Sequence, residues 1–319
     1  MSLFMSLPII LDCDPGNDDA LGILVAAGHA EIDLRAVTTG AGHLTGARTA
    51  RNAAKTLRLS GRSDIPLGAG ALNPLVRERM IAGVLDMTSA LDPERPDLEE
   101  QDLDPRHSAD LIAQTLLSGD ATSIVTTGPL TNLAMALNRT PEITAKLERI
   151  TILGGSWGLG NKTAAAEWNI LCDPEAAHVV LSAGIPVTMI PIDALNPVGI
   201  TPDLIKRIRA IGGTIGDFAT ELLQSLVMTF RPGNAMAPKF MPLNDPVASL
   251  VAAQPKLAQT QPARVDVELA GHHTYGRTVI DFGLRDGAVA NVDVVTQLNC
   301  DQTINAFVDA LTRLANLDI

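Results

Sequence analysis

Residues 8–20 read Pro8-Ile9-Ile10-Leu11-Asp12-Cys13-Asp14-Pro15-Gly16-Asn17-Asp18-Asp19-Ala20, and this stretch decides the fold. The apolar run Leu7–Leu11 has the length and composition of a buried strand. Pro15-Gly16 breaks it, after which Leu21, Ile23, Leu24, Ala27 and Gly28 follow helical spacing. Asp12, Asp14, Asp18 and Asp19 therefore fall at the carboxyl end of a strand and in the first turn of the next helix. In open α/β sheets ligands bind in the crevice beyond the strand ends. Asp12 and Asp14, two residues apart, project from one strand face. Asp18 and Asp19 gain from the helix dipole. Four acids within eight residues repel one another unless something positive sits among them, and a hard cation held by oxygens answers that demand. The plainer alternative has Asn17 or Asp18 capping the helix and the other acids solvated. An EF-hand is excluded, because the twelfth position from Asp12 is Ile23 and not Glu. Pro-Gly-x-Asp-Asp is also a poor continuation for an Asp-x-Asp phosphatase nucleophile.

At 319 residues the chain can bury a large core as a single α/β unit. Its net charge of −12 argues against nucleic acid or an anionic membrane surface as partner and suits a cation site. Cys13, Cys172 and Cys300 are odd in number and far apart, as expected of reduced thiols in a cytosolic protein. No stretch reads as a transmembrane helix, and Met1–Leu7 lacks the features of a signal peptide, so the expectation is a cytoplasmic protein. The first six residues contain a Met-Ser-Leu that recurs at Met5, and they are expected to be disordered and outside the fold.

Strand-like and helix-like runs then alternate. Asp33–Thr38 reads as a strand ending in the loop Thr39-Gly40-Ala41-Gly42-His43, Thr45–Ser60 as a helix and Ile65–Gly68 as a short strand. Residues 69–107, broken by Asn73-Pro74, Asp92-Pro93, Arg95-Pro96 and Asp104-Pro105, read as an irregular insertion that is either a lid or a solvated loop. Helices are expected at His107–Ser118, Leu133–Leu137, Asp173–Ala183, through most of 201–230, and at Gln302–Leu314. Strands are expected at Ser123–Thr126, Ile150–Leu153, Pro186–Ile190 and Val292–Val294, with a hairpin pairing Val265–Leu269 and Thr278–Phe282. This βαβα rhythm implies one domain over 1–319, with a mostly parallel central sheet and helices on both faces.

The stretch Asp12-Cys13-Asp14-Pro15-Gly16-x-Asp18-Asp19-Ala20 resembles the amino-terminal signature of the inosine–uridine-preferring nucleoside hydrolases. Further stations recur in order: Thr126-Thr127-Gly128-Pro129, Gly154-Gly155 through Asn161, Ala166-Glu167-Trp168-Asn169, and Asn244-Asp245-Pro246. The resemblance runs from Ile9 through Val294 and implies a Rossmann-like nucleoside hydrolase fold. It implies a calcium site made by Asp14, Asp19, the Thr127 carbonyl and Asp245. On the residues alone, Asp245-Pro246 also reads as a helix start. The resemblance further implies that Asn161, Glu167 and Asn169 hold the ribose hydroxyls, with Asp18 bonding another, and that Trp168 stands where the family has Phe.

The implied reaction is calcium-dependent hydrolysis of a ribonucleoside to ribose and free base, with a calcium-bound water activated by Asp14 as general base. Its transition state is oxocarbenium-like. Homodimers or homotetramers are also implied. Three positions depart from the family pattern: Asn244 replaces a His credited with protonating the departing base, His43 replaces an Asn, and Ala82–Asp86 lacks a His-Gly pattern. Trp157, Trp168, His43 and Tyr275 are the remaining candidates to assist the base, and the missing acid leads us to expect purine preference by stacking or slow turnover. Two rival readings stay open at this point: a riboside-binding sensor with weak or no hydrolysis, and a hydrolase of a non-standard ribosyl compound. A phosphotransfer enzyme is more distant, since no basic phosphate cradle accompanies the acids.

Overall fold

Strand β1 (Leu7–Cys13) carries the first apolar run into the centre of a sheet, and helix α1 (Asn17–Gly28) follows it after Pro15-Gly16. The computed structural model describes residues 6–80, 91, 95, 97–231 and 238–317. Every residue of α1 except Asp18 is buried. The helix is apolar on all sides because protein surrounds it, which is what an unbroken Ala20–Gly28 run permits.

Among the described residues the sheet has ten strands in the order β4 (Asp104–His107), β3 (Leu67–Ala69), β2 (Ile32–Thr39), β1, β5 (Thr122–Thr126), β6 (Leu147–Leu153), β7 (Val187–Ile190), β10 (Val292–Leu298), β8 (Ala258–Val267) and β9 (Thr278–Asp281). All neighbours pair parallel from β4 to β10, and β8 runs antiparallel to both β10 and β9. From β1 the chain steps outward through β2, β3 and β4, then returns to lay β5 on the other side of β1. The carboxyl ends of β1 and β5 are thus the switch point of the sheet, where a crevice must open. Asp12 pairs with Thr38 of β2 and Thr126 of β5 in that register.

The pleat of β1 divides the core. Ile9, Leu11 and Cys13 face a layer made by α1, α2 (Gly46–Leu59), α7 (Ile192–Leu195), α8 (Pro202–Arg209), α9 (Gly213–Thr229), α10 (Asp245–Ala253) and α11 (Cys300–Ala315). Ile10 faces the other layer, made by α3 (Ser108–Ser118), α4 (Thr131–Arg139), α5 (Trp168–Cys172) and α6 (Pro174–Leu181). The expected α/β architecture, with a mostly parallel sheet covered on both faces, is present. The cysteines are unpaired. Among the described residues, no helix is long and apolar enough to cross a membrane.

Two expectations are refined. Asp104-Pro105-Arg106-His107 is not irregular: it forms β4, paired parallel with β3. Strand β8 begins at Ala258, well before the expected Val265, and its first half pairs with β10. The expected 69–107 insertion falls in part on residues 81–90, 92–94 and 96, which lie outside the described residues, as do Ala82–Asp86 and residues 1–5.

Helix α1 ends tightly against α11. A Cβ on Gly28 would stand 2.4 Å from the Ala310 carbonyl oxygen and 2.8 Å from the Leu314 Cβ. Backbone cannot yield as a flexible side chain can, so Gly28→Ala must push the two helices apart. The expected loss is about 2 kcal/mol, within the range for overpacked cores. It would be read as a lower urea midpoint at unchanged slope.

Candidate active site

Two helix starts and two strand ends converge here. Helix α1 opens with Asp18 and Asp19 in its first turn, and α10 opens with Asp245 followed by a proline. Gly22, one turn into α1, packs against Asp245, with its Cβ position 3.5 Å from the Asp245 Cβ. A larger residue at that place would hold α10 away. Single carboxylate oxygens of Asp18, Asp19 and Asp245 consequently lie within 4.8 Å of one another, with Asp19 and Asp245 buried and Asp18 half-buried. This is the group among the described residues that could hold a metal ion.

Burial, reinforced by the charges of Asp14 and Asp18, pushes the Asp19 carboxyl well above the usual range. Burial also raises Asp245, with Asp18, Asp19 and Asp14 adding to the effect. Asp18 is raised by burial against the opposing pull of His43. The Thr127 hydroxyl donates to Asp19 at 2.7 Å, the chief neutral support in the cluster. Asp14 is buried and sits slightly apart from this trio, at the turn after β1. Its Oδ2 accepts the His43 backbone N–H at 2.8 Å, and the His43 Nδ1 is 3.4 Å away. Cβ atoms on Gly42 and Gly128 would stand 2.0 and 2.5 Å from the Asp14 oxygens, so both loops must be glycine there. Burial opposes a charged His43, but the bond and charge of Asp14, with Asp18 and Glu167, outweigh it and raise its pKa.

Asp12 is a different kind of residue. It accepts from the Thr38 hydroxyl at 2.7 Å and the Asn132 amide at 2.9 Å, and burial pushes its pKa up to about 7. It braces the strand end from behind.

Glu167 caps α5. Its oxygens take the backbone N–H groups of Asn169, Gly155 and Ile170 at 2.9, 2.9 and 3.2 Å. Burial raises its pKa, and those N–H groups oppose the rise. Both amide hydrogens of Asn169 are committed, to the carbonyls of Thr127 at 2.8 Å and Leu153 at 3.0 Å, so its oxygen is what remains to meet a donor. Asn161 is exposed, and its oxygen accepts from Trp168 N–H at 2.9 Å. The Trp168 ring stacks on His43 at 4.3 Å and carries the Lys162 ammonium at 4.7 Å. Asn244 precedes α10 without capping it and lines a cleft of about 180 Å³.

That cleft is bordered by Asp18, Asp19, His43 and Asn244, and also by Leu226 and Thr229 from α9 and by Met241. The last three were not foreseen, because the apolar spacing of α9 reads as core and says nothing of which end meets a cleft. The Thr127 hydroxyl was likewise missed; only its carbonyl was implied, and that by the family resemblance.

The chain resembles known proteins over nearly its whole length. The family model described as inosine-uridine preferring nucleoside hydrolase matches residues 9–305. The chain is 39% identical over 310 residues to the pyrimidine-specific ribonucleoside hydrolase RihA of Shigella flexneri, covering 96% of this chain and 99% of that one. A plant nucleoside hydrolase, PpNRh1, superposes with a TM-score of 0.87 at 26% identity, over 96% of this chain and 99% of its own. The purine-preferring ribonucleoside hydrolase of Gardnerella vaginalis superposes with a TM-score of 0.87 at 28% identity, over 97% of this chain and 99% of its own. On the family match and on the identity carried over nearly the whole chain, this protein belongs to the inosine-uridine-preferring nucleoside hydrolase family.

Proposed function

We propose that the chain hydrolyses the N-glycosidic bond of ribonucleosides, releasing ribose and free base, in a calcium-dependent reaction. The observation that carries this reading is the convergence of Asp18, Asp19 and Asp245 beside Asp14 at the switch point of the sheet. The donors there are carboxylate and carbonyl oxygens, which suit a hard cation. Asp14, Asp19, Asp245 and the Thr127 carbonyl would hold calcium; that carbonyl keeps a second lone pair beside its bond from Asn169. When bound, the cation supplies positive charge that acidifies water and orients the ribose hydroxyls.

Asp14 takes a proton from the attacking water, its carboxylate oriented by the His43 N–H. Asp18 bonds a ribose hydroxyl. Glu167 and Asn169 accept from others, while Asn161, whose oxygen is engaged, donates through its amide. The surrounding carboxylates stabilise the oxocarbenium-like transition state more than the neutral substrate. Asn244 borders the cleft where the family His would stand and offers the departing base a hydrogen bond; the base leaves as its anion and takes a proton from solvent, and Asp14 returns its proton to solvent.

The relatives at 39% identity are pyrimidine-specific by name, so uridine and cytidine are the substrates we propose first. The purine stacking expected of Trp168 finds no support, since His43 and Lys162 already lie against its ring. Ribose release from uridine, cytidine, inosine, guanosine and adenosine, with calcium or with chelator, tests the reading. Asp14→Asn is expected to lower kcat by about 10²- to 10⁴-fold, as for loss of a general base. No release from any of them, with calcium and nucleoside still binding, would overturn it.

The cluster also makes a prediction about stability. Asp19 and Asp245 have folded pKa values raised above their unfolded ones, so the folded chain holds more protons above about pH 4, and their contribution to stability falls as pH rises. In chelator, thermal unfolding should occur at a lower temperature at about pH 8 than at about pH 5. Calcium at about a hundred times its Kd should restore roughly 2.7 kcal/mol, or on the order of 5 °C, at the higher pH. Asp19→Asn and Asp245→Asn are expected to lose most of that gain.

A further inference from the structure

We propose that Arg79 is a positioning residue of this site, acting through the turn Gly42–Leu44; the kinetic part of the proposal rests on the hydrolase reading above. The Arg79 Nη1 donates to the Leu44 carbonyl at 3.0 Å and reaches the Gly42 carbonyl at 3.5 Å. The Leu44 bond supplies most of the hold, since the second contact is at the limit of hydrogen-bond geometry. Gly42 N–H closes the same turn onto the Leu44 carbonyl at 3.1 Å. Between these two carbonyls stands His43, whose N–H orients Asp14 and whose ring stacks on Trp168. The turn has no slack on its inner side, where Gly42 lies against the Asp14 carboxylate.

Arg79 is itself held from the other side. The Leu75 N–H donates to Asp173 at 2.8 Å, and the Arg77 Nε to Glu175 at 3.0 Å. The Arg77 guanidinium lies 4.0 Å over the Tyr275 ring, and the Tyr275 hydroxyl donates to Glu175 at 2.8 Å. Closer to the turn, Ala41 N–H donates to the Ala71 carbonyl at 2.8 Å. Residues 71–79 therefore run as a strap from the start of α6 to the His43 turn. Among the described residues, Arg77 has a carboxylate partner and Arg79 has only carbonyls. A half-buried cation directed at the backbone on either side of one side chain sets where that side chain sits.

The test uses the full chain in a Trp157→Phe background, so that Trp168 alone reports. A stacked imidazole quenches indole emission, and His43→Ala gives the unstacked reference. Arg79→Met keeps the stem and removes the donors. Arg79→Lys keeps one ammonium, which can make the same contacts because both come from a single nitrogen. Arg79→Met is expected to raise Trp168 emission toward the His43→Ala level. It should also lower kcat on the best ribonucleoside by about tenfold, with KM changed less, as for loss of a charge-assisted hydrogen bond. Arg79→Lys should restore both. Unchanged emission and kcat in a folded Arg79→Met, or an Arg79→Lys that behaves like Arg79→Met, would overturn the proposal. The emission arm needs no turnover, so a parent that hydrolyses no nucleoside would defeat the hydrolase reading while the strap still stands or falls on fluorescence.

Discussion

Mutual repulsion among buried carboxylates is the constraint on which the rest of this molecule depends. Asp14, Asp19 and Asp245 are almost wholly removed from water, and Asp18 half so. An unpaired buried charge costs several kcal/mol even after relaxation. The fold meets part of that cost with partial charges. Helices α1 and α10 both begin at the cluster and turn their positive ends toward it. The Thr127 hydroxyl and the His43 N–H add direct donors. No cationic side chain from Lys or Arg reaches these acids among the described residues, which leaves their residual charge for a bound cation.

The same motif contains a carboxylate with the opposite assignment. Asp12 lies behind the site and ties β1 to β2 through Thr38 and to α4 through Asn132. Asn132 in turn accepts from Ala71 N–H at 2.9 Å and donates to the Thr39 carbonyl at 3.1 Å. A single buried amide therefore joins β1, β2, α4 and the chain after β3, where the strand ends must be held apart to leave a crevice. Asp12 and Asp14 are two residues apart and were expected on one strand face, but β1 ends at Cys13, so Asp12 stays within the strand and Asp14 falls in the turn after it.

Much of this was legible in the chain. The run Leu7–Leu11, the Pro-Gly break and the helical spacing after it are local signals, and β1 and α1 follow them closely. Asp245-Pro246 opens a helix, as its spacing implied, and its carboxylate lies in the group that could hold a metal ion. The failures have physical causes. Asp104–His107 is polar and contains a proline, yet as an edge strand it pairs on only one side and needs little apolar content. The first half of β8 is exposed and polar and is recruited by β10, a partner distant in sequence. The approach of Asp18, Asp19 and Asp245 oxygens to within 4.8 Å of one another depends on the turn geometry after Pro15 and on the docking of α10, which no spacing rule encodes.

The residues of the candidate site differ in how firmly they are held. Glu167 and Asn169 are buried and bound to the backbone at the ends of β5 and β6, through Thr127, Leu153 and Gly155. Moving either would break several hydrogen bonds and the α5 cap. The cleft itself is bordered by His43 on a turn, Asn244 before a helix, Leu226 and Thr229 in the last turn of α9, and Met241 in a loop. Those positions can change with little cost to the sheet, because loops and element ends tolerate substitution better than strand-end networks. Substitution at His43 or Asn244 would therefore disturb the sheet less than substitution at Glu167 or Asn169.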